Sequence, residues 1–493
     1  MALVPLQIQA GVYRNGTDLQ SQNRWRDANL IRWTDGTMGP VGGWRQKTQT
    51  AADNNVRAML AWTDNTSSRR FAAGTYDKLY VYTQSGAQAD ITPAGFTAGR
   101  DSASAFTGYG AGPYGEDYYG TERLDNLTIL PATTWSLDTF GQYLVACSPD
   151  DGKLYEWQLN TAVPAAQITN APTDCIGLIV TEERFLFALG AGGNPRKVQW
   201  CDKENNTVWT PAATNEAGDI ELQTAGDIMC AVRVRGQTLI LTTIDAHVMG
   251  YLGPPYVYSR ERVGTSCGII SRKAAAVTDL GAVWMGRKAF YTYSGGAVSK
   301  VPSEVSDYVF SDINQSQQSK VHATTNARYS EVWWFYPSGG STENDRYVVW
   351  NYAENTWSTG DLARTAAVDH GAFRHPMWAD PADNHIYEHE VGFDYGSLTP
   401  FAESGPIMLA SGDEVASVVE MIPDEKTQGD VQAIFKTRFY PNDTERSYGP
   451  YSMSNPTSLR FTGRQVRIRV EGERLANWRV GVNRLDIIPG GRR

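Results

Sequence analysis

Hydrophobic and polar positions alternate along most of this chain with the period of two that marks half-buried strands, and the alternation comes in pairs. One member is short and apolar: FAAGT from Phe71, YLVAC from Tyr143, FLFAL from Phe185, LILTT from Leu239, AVWMG from Ala282, VWWFY from Val332 and MWAD from Met377. After a turn comes an aromatic partner, such as KLYVYT from Lys78, KLYEW from Lys153, AFYTY from Ala289, YVVWNY from Tyr347 or HIYEH from His385. The first members start 72, 42, 54, 43, 50 and 45 residues apart. A repeat of about 40–50 residues is one four-stranded propeller blade, which buries its faces only by stacking on its neighbours. Further alternating runs, VRAMLAW from Val56, CIGLIVT from Cys175, IMCAVRV from Ile228 and KAAAVT from Lys273, read as opening strands. The spacing predicts an all-β fold, a β-propeller of about seven blades over 53–392.

Outside the repeats the pattern changes. Residues 1–52 hold Trp and Arg between polar turns such as Asn15-Gly16 and Asp35-Gly36, and read as an N-terminal strand-and-loop arm. Residues 393–493 return to plain alternation at Ala416–Met421, Gln432–Tyr440, Thr457–Phe461, Val466–Glu471 and Trp478–Ile488, which predicts a C-terminal β-sandwich domain. The spacing of 72 contains an insertion at 96–131 rich in Gly, Ala and Tyr, which reads either as a floppy surface loop or as a tyrosine-rich contact loop. The best helical segment is Ser303–Lys320, with Val305, Tyr308, Val309 and Ile313 on one face. Two polar corners, Asn205-Asn206-Thr207-Val208-Trp209 and Glu354-Asn355-Thr356-Trp357, each place a Trp to cap a blade core.

Charge sharpens this picture. The chain of 493 residues carries a formal −10, whereas a dedicated nucleic-acid binder is usually basic. From Arg460 to Arg493 nine Arg face three acids, a net of +6, so the rest carries −10 − 6 = −16. In Val466-Arg467-Ile468-Arg469-Val470 the arginines take one face of a strand. Two readings stand for Arg467, Arg469, Arg474 and Arg479: a solvated sheet face, or a docking surface for an acidic partner. The five cysteines lie far apart in apolar strands and read as buried free thiols, in keeping with a reducing cytoplasm. The N-terminal residues do not read as a signal peptide, and no apolar run reaches the length of a membrane span.

Candidate chemistry is sparse. His385 and His389 sit four apart in a strand-like repeat, about 13 Å from one another, so they make a poor metal pair. His370 and His375 flank a turn. Propellers include glycosidases that use paired acids, and carboxylates could converge on the axis, but no acid pair is marked by spacing. G-x-S-x-G, P-loop and dinucleotide signatures are absent from the sequence. No catalytic residue, cofactor or metal is assigned.

Several stretches resemble the tail nozzle proteins, also called tail hub or tail tubular proteins, of short-tailed bacteriophages. They are Val198-Gln-Trp-Cys-Asp202 with Trp209-Thr-Pro211, Asn215–Asp219, Tyr251-Leu-Gly-Pro-Pro-Tyr256, Val263–Gly268, Glu331-Val-Trp-Trp-Phe-Tyr-Pro337, Asn344–Val348 and Asn351–Trp357. Gly11-Val-Tyr-Arg-Asn-Gly-Thr17 and Gly42-Gly-Trp44 fit as well, and so does the order of arm, propeller and C-terminal β-domain. The resemblance implies a virion structural protein without an enzymatic step, assembled in the host bacterial cytoplasm into the virion tail. It implies a homohexameric ring below the portal adaptor, through which double-stranded DNA is ejected and around which fibres or spikes attach. An acidic lining would let DNA slide, which leaves the basic C-terminal region to face protein. Heterologous ring contacts would suit exposed aromatics, with Trp25 and Trp33 of the arm and Tyr114, Tyr118 and Tyr119 of the insertion as candidates beside the four arginines. The alternative from another class is a carbohydrate-binding or glycan-cleaving β-propeller.

Overall fold

The computed structural model describes residues 2–106, 128–410, 414–441, 443–472 and 475–492. Seven four-stranded antiparallel sheets follow one another along the chain among these residues. Blade 1 is Ala58–Thr63, Arg69–Gly74, Leu79–Thr83 and Gln88–Asp90. Blade 2 is Ser136–Phe140, Tyr143–Cys147, Leu154–Trp157 and Ala166–Gln167. Blade 3 is Gly177–Val180, Leu186–Leu189, Lys197–Trp200 and Gly218–Glu221. Blade 4 is Ile228–Val234, Gln237–Thr242, Ala246–Gly253 and Val257–Gly264. Blade 5 is Ala275–Thr278, Gly281–Met285, Phe290–Ser294 and Ala297–Val301. Blade 6 is His322–Asn326, Glu331–Tyr336, Arg346–Asn351 and Thr356–Asp361. Blade 7 takes three strands from the same stretch, Ala366–Val368, Met377–Ala379 and Ile386–His389. Its fourth strand is Trp44–Gln46. The first strand of each blade lies against that of the next, and the seventh against the first, so the array closes on itself.

The sequence repeat has a packing cause. A second strand is covered by neighbouring blades on both faces, so it is apolar throughout instead of alternating. Glu331–Tyr336 is buried at every position. Trp334 meets Phe290 of blade 5 at 4.9 Å between ring centroids, and Trp333 meets Trp378 of blade 7 at 5.1 Å. Each such indole contributes about 4–6 kcal/mol of transfer free energy from the roughly 150–250 Å² it buries. The polar corners act as expected: Trp209 and Trp357 are buried, and their indole N–H groups donate to the carbonyls of Asn206 and Pro302. The helical segment forms as Ser306–Asp312 followed by a 3₁₀ turn, with Val305, Val309 and Ile313 buried.

The arm does not stand apart as a unit of 1–52. Ala2–Pro5 pairs with Arg484–Arg492 in a four-stranded sheet completed by Glu414–Ile422 and Thr457–Gly463. Gln9–Val12 and Arg24–Asn29 extend a seven-stranded sheet through Phe401–Ser404, Gln465–Gly472, Val431–Arg438 and Arg446–Ser452, with Ile407–Met408 beside it. The two C-terminal sheets share an apolar core in which Phe435 stacks on Phe461 at 4.9 Å. The N-terminal 46 residues therefore complete both C-terminal sheets and the last blade. Local periodicity cannot reveal pairing across more than 300 residues, which is why these strands read as an arm. For the same reason the expected strand Trp478–Ile488 begins later, at Arg484, while Trp478 and Val480 pack into the core from the loop before it.

Candidate functional surfaces

The C-terminal arginines are not a free docking face. Arg467 donates to Asp18 and lies 3.1 Å from Glu445 and 3.7 Å from Glu403. Arg438 reaches the other oxygen of Asp18 at 2.5 Å, and Lys436 pairs with Glu403 at 2.7 Å. Arg469 pairs with Glu403 at 3.5 Å and with Glu471, and its guanidinium lies 3.5 Å over the ring of Phe401. Asp18 comes from the N-terminal segment, so the arginine stripe staples that segment to the sheet. Burial alone would raise the Asp18 carboxyl, but Arg438 and Arg467 outweigh it and hold it below the ordinary value. Arg479 packs across Gly39 of the same segment. Arg474 lies outside the described residues, as do Tyr114, Tyr118 and Tyr119.

Trp25 and Trp33 are not surface anchors either. They are 6% and 3% exposed and pack together at 6.5 Å in the core under the N-terminal segment. Strand alternation accounts for Trp25, which faces in between the half-buried Arg24 and Arg26, whereas Trp33 lies in a strand buried at Ile31, Arg32 and Trp33 alike. Near them Arg32, also buried, donates from Nε to Glu331 at 2.5 Å and from Nη2 to Glu331 at 2.8 Å and Glu390 at 2.7 Å. Glu390 also accepts from Asn326 and from the Gly42 amide, and Arg32 lies 3.5 Å over Tyr329. Burial would lower the Arg32 guanidinium, but the two carboxylates raise it above its ordinary value. Gly42 and Gly43 allow the close approach: a Cβ on either would fall within 2.5 Å of Glu390 or Asp394 backbone. Four of the stretches that carry the resemblance, at 11–17, 42–44, 331–337 and 351–357, lie along these contacts, while those between 198 and 268 lie in and beside blades 3 and 4. Gly11, at φ +86°, sits against Thr356 and Trp357.

The described ends of the insertion lie against blades 1 and 6. Gln317, before blade 6, exchanges two hydrogen bonds with the backbone of Ala103, and Lys320 donates to Ser102 at 3.0 Å. Arg57, at the start of blade 1, binds Asp101 at 2.8 Å and Glu343 at 2.6 Å, and Lys320 also pairs with Glu343. The base of the insertion thus bridges blades 1 and 6 where their first strands begin. Among the described residues the seven first strands carry one carboxylate, Asp138, which Arg233 grips at 2.9 and 3.1 Å.

The histidines do not converge. His389 stacks on Trp378 at 3.9 Å and accepts from Arg364 Nε at 3.1 Å, and burial followed by Arg364 pushes it far below its ordinary value. His385 contacts Thr48 at 3.0 Å, and His370 pairs with Asp369. Among the described residues no group of three His, Cys, Asp or Glu could hold a metal. The five cysteines are free and four are fully buried, Cys230 being half-buried. Among the described residues no helix is long and apolar enough to cross a membrane.

Two surface features escaped the sequence reading. A groove of about 530 Å³ opens at the outer edge between blades 2 and 3, where Glu156 accepts from Gln158 at 2.8 Å and from Asn206 at 2.6 Å. The blade 4 hairpin projects an apolar tip, with Leu252 63% and Tyr256 79% exposed. The polar corner at Asn205 signalled the first, and the Leu-Gly-Pro-Pro-Tyr run signalled the second.

No protein-family model matches the chain, and no curated protein matches it. Similar solved structures include virginiamycin B lyase from Staphylococcus aureus, at 6% identity and TM-score 0.44, covering 70% of this chain and 98% of that one. A fungal alcohol oxidase of the AA5 family in complex with copper is similar at 11% identity and TM-score 0.44, over 87% of this chain and 92% of that one. The Neurospora crassa Pan2 WD40 domain is similar at 7% identity and TM-score 0.40, over 73% and 97%.

Proposed function

We propose that this chain is a virion structural protein, the nozzle of a short bacteriophage tail. It acts as a homohexamer that guides double-stranded DNA and joins the portal adaptor to fibres or spikes, with no enzymatic step. The observation that carries this reading is the clasp around Arg32. Four of the stretches that resemble nozzle proteins, at 11–17, 42–44, 331–337 and 351–357, lie along the contacts by which the N-terminal segment locks blades 6 and 7 to the C-terminal sheets, while those between 198 and 268 lie in and beside blades 3 and 4. A part that transmits load between adaptor and fibres needs such a lock, because a propeller and a sandwich joined by one linker would move independently. The acidic balance outside the C-terminal region also supports a conduit that DNA traverses without sticking.

Two consequences follow for the ring. In this reading the conduit is the hole between subunits, and the described base of the insertion lies against the ends of blades 1 and 6. Contacts between copies use surfaces other than the arginine stripe, which is occupied internally. The blade 4 tip, with Leu252 and Tyr256, is the apolar surface best exposed for such a contact. Peptide mass spectrometry of purified phage particles that encode this chain tests the reading. The chain is expected in six copies per particle, and particles without it overturn the assignment.

A further inference from the structure

We infer that the groove between blades 2 and 3 binds an uncharged oligosaccharide without cleaving it. The groove exists because the outer strand of blade 2 is only two residues, Ala166–Gln167. The chain before it loops over Trp157, whose indole N–H donates to the carbonyls of Asn160 at 3.0 Å and Val163 at 3.2 Å. Trp157, itself 2% exposed, lies at the base of the groove, and Asn206 and Thr207 of the blade 3 corner line its far side. The volume of about 530 Å³ falls within the range of about 300–1,000 Å³ typical of small-molecule sites.

The chemistry of the walls selects the ligand. Glu156, Gln158, Asn160, Gln167, Thr169 and Asn206 line the groove with amides, a hydroxyl and a single carboxylate. Glu156 holds Gln158 by one oxygen and Asn206 by the other, which fixes both amide groups through their nitrogen ends. Among the described residues the side-chain carbonyls of Gln158 and Asn206 have no hydrogen-bond partner, and a carboxylate has about four lone-pair positions of which two are used. The preorganised surface is therefore rich in acceptors, and it suits a ligand bearing many hydroxyl donors. Its one formal negative charge disfavours phosphorylated, sulfated or sialylated ligands. Hydrolysis of a glycosidic bond ordinarily requires two carboxyl groups flanking the bond, and this groove has one. Binding at the outer edge of a blade does not depend on the nozzle reading, and would serve a tail that rests on a glycan-coated cell.

The test uses the full chain on a printed array of neutral, sialylated and sulfated glycans, followed by isothermal titration with the best neutral oligosaccharide. The expected result is saturable binding of neutral glycans, weakened at least about tenfold in Asn206→Ala and in Glu156→Gln, with thermal midpoints close to that of the parent chain. Glu156→Gln keeps the side-chain volume while releasing one of the two amides that Glu156 holds, so it separates loss of recognition from loss of fold. No saturable neutral binding, a preference for charged glycans, or equal binding by both variants overturns the inference. So does sedimentation showing self-association that Asn206→Ala abolishes, because the groove then holds a second copy of the chain. Six-fold assembly should be unchanged in both variants.

Discussion

Arg32 and Glu331 form a two-pronged ion pair, Nε to Oε1 at 2.5 Å and Nη2 to Oε2 at 2.8 Å, with side chains 5% and 4% exposed. Arg32 belongs to the N-terminal segment and Glu331 to the second strand of blade 6. Removing one partner strands the other charge in a buried site. Arg32→Met should lower unfolding free energy by about 3–5 kcal/mol, read from denaturant midpoints. A loss below about 1 kcal/mol would mean that the pair does not tie the segment down.

Asp18 supplies a pH signature for the second attachment. Its carboxyl is held below the ordinary value of 3.8 in the folded chain, with Arg438 and Arg467 outweighing burial. The stabilisation is therefore fully present above the unfolded value and is lost as pH falls through the folded one. Asp18→Asn should cost about 1–3 kcal/mol at pH 7, and the difference from the parent chain should shrink as pH falls below about 4. Chemical denaturation across pH 2–7 measures both.

His322 acts in the same direction over a higher pH range. Its Nε2 accepts from the Ala367 amide at 2.9 Å, and burial, helped by Lys273, lowers its pKa to about 4. Between that value and about 6.5 the unfolded chain takes up a proton that the folded chain does not, so stability falls as pH falls, by about 1.4 kcal/mol per unit. In His322→Gln this component should vanish. Nuclear magnetic resonance of the parent chain should show a neutral imidazole at pH 5.

Burial pushes the thiols of Cys175, Cys201 and Cys230 up to about 12 and that of Cys267 up to about 11. Since the thiolate is the reactive form, a disulfide reagent at pH 8 should modify none of the five rapidly in the native chain. All five should react after denaturation.

The fragment 53–392, which the sequence marks as the propeller, lacks the fourth strand of blade 7. Limited proteolysis should cut it rapidly within Ala366–His389, whereas restoring Trp44–Gln46 in cis should protect that region.

What the sequence could show and what it could not divides along contact range. The second strands from Phe71 to Met377 were legible because burial on both faces leaves an apolar signature in each strand. The core face of Val466, Ile468 and Val470 was legible from alternation, and all three are buried. The partners of Arg467 and Arg469 were not, because Asp18 and Glu403 carry no local sign that they meet them. Trp25 and Trp33 were misplaced because nothing in the local pattern shows that the N-terminal segment packs into the core of the C-terminal sheets. The groove at Glu156 depends on a corner of one blade reaching the edge of the next, which no repeat spacing encodes.

The central claim is that this chain forms a ring around a DNA conduit. Negative-stain class averages of the full chain assembled with its portal adaptor test it most directly. The account predicts six-fold rings with an open centre between subunits. Particles that remain single propellers on the adaptor, or that stack without a central opening, would contradict it.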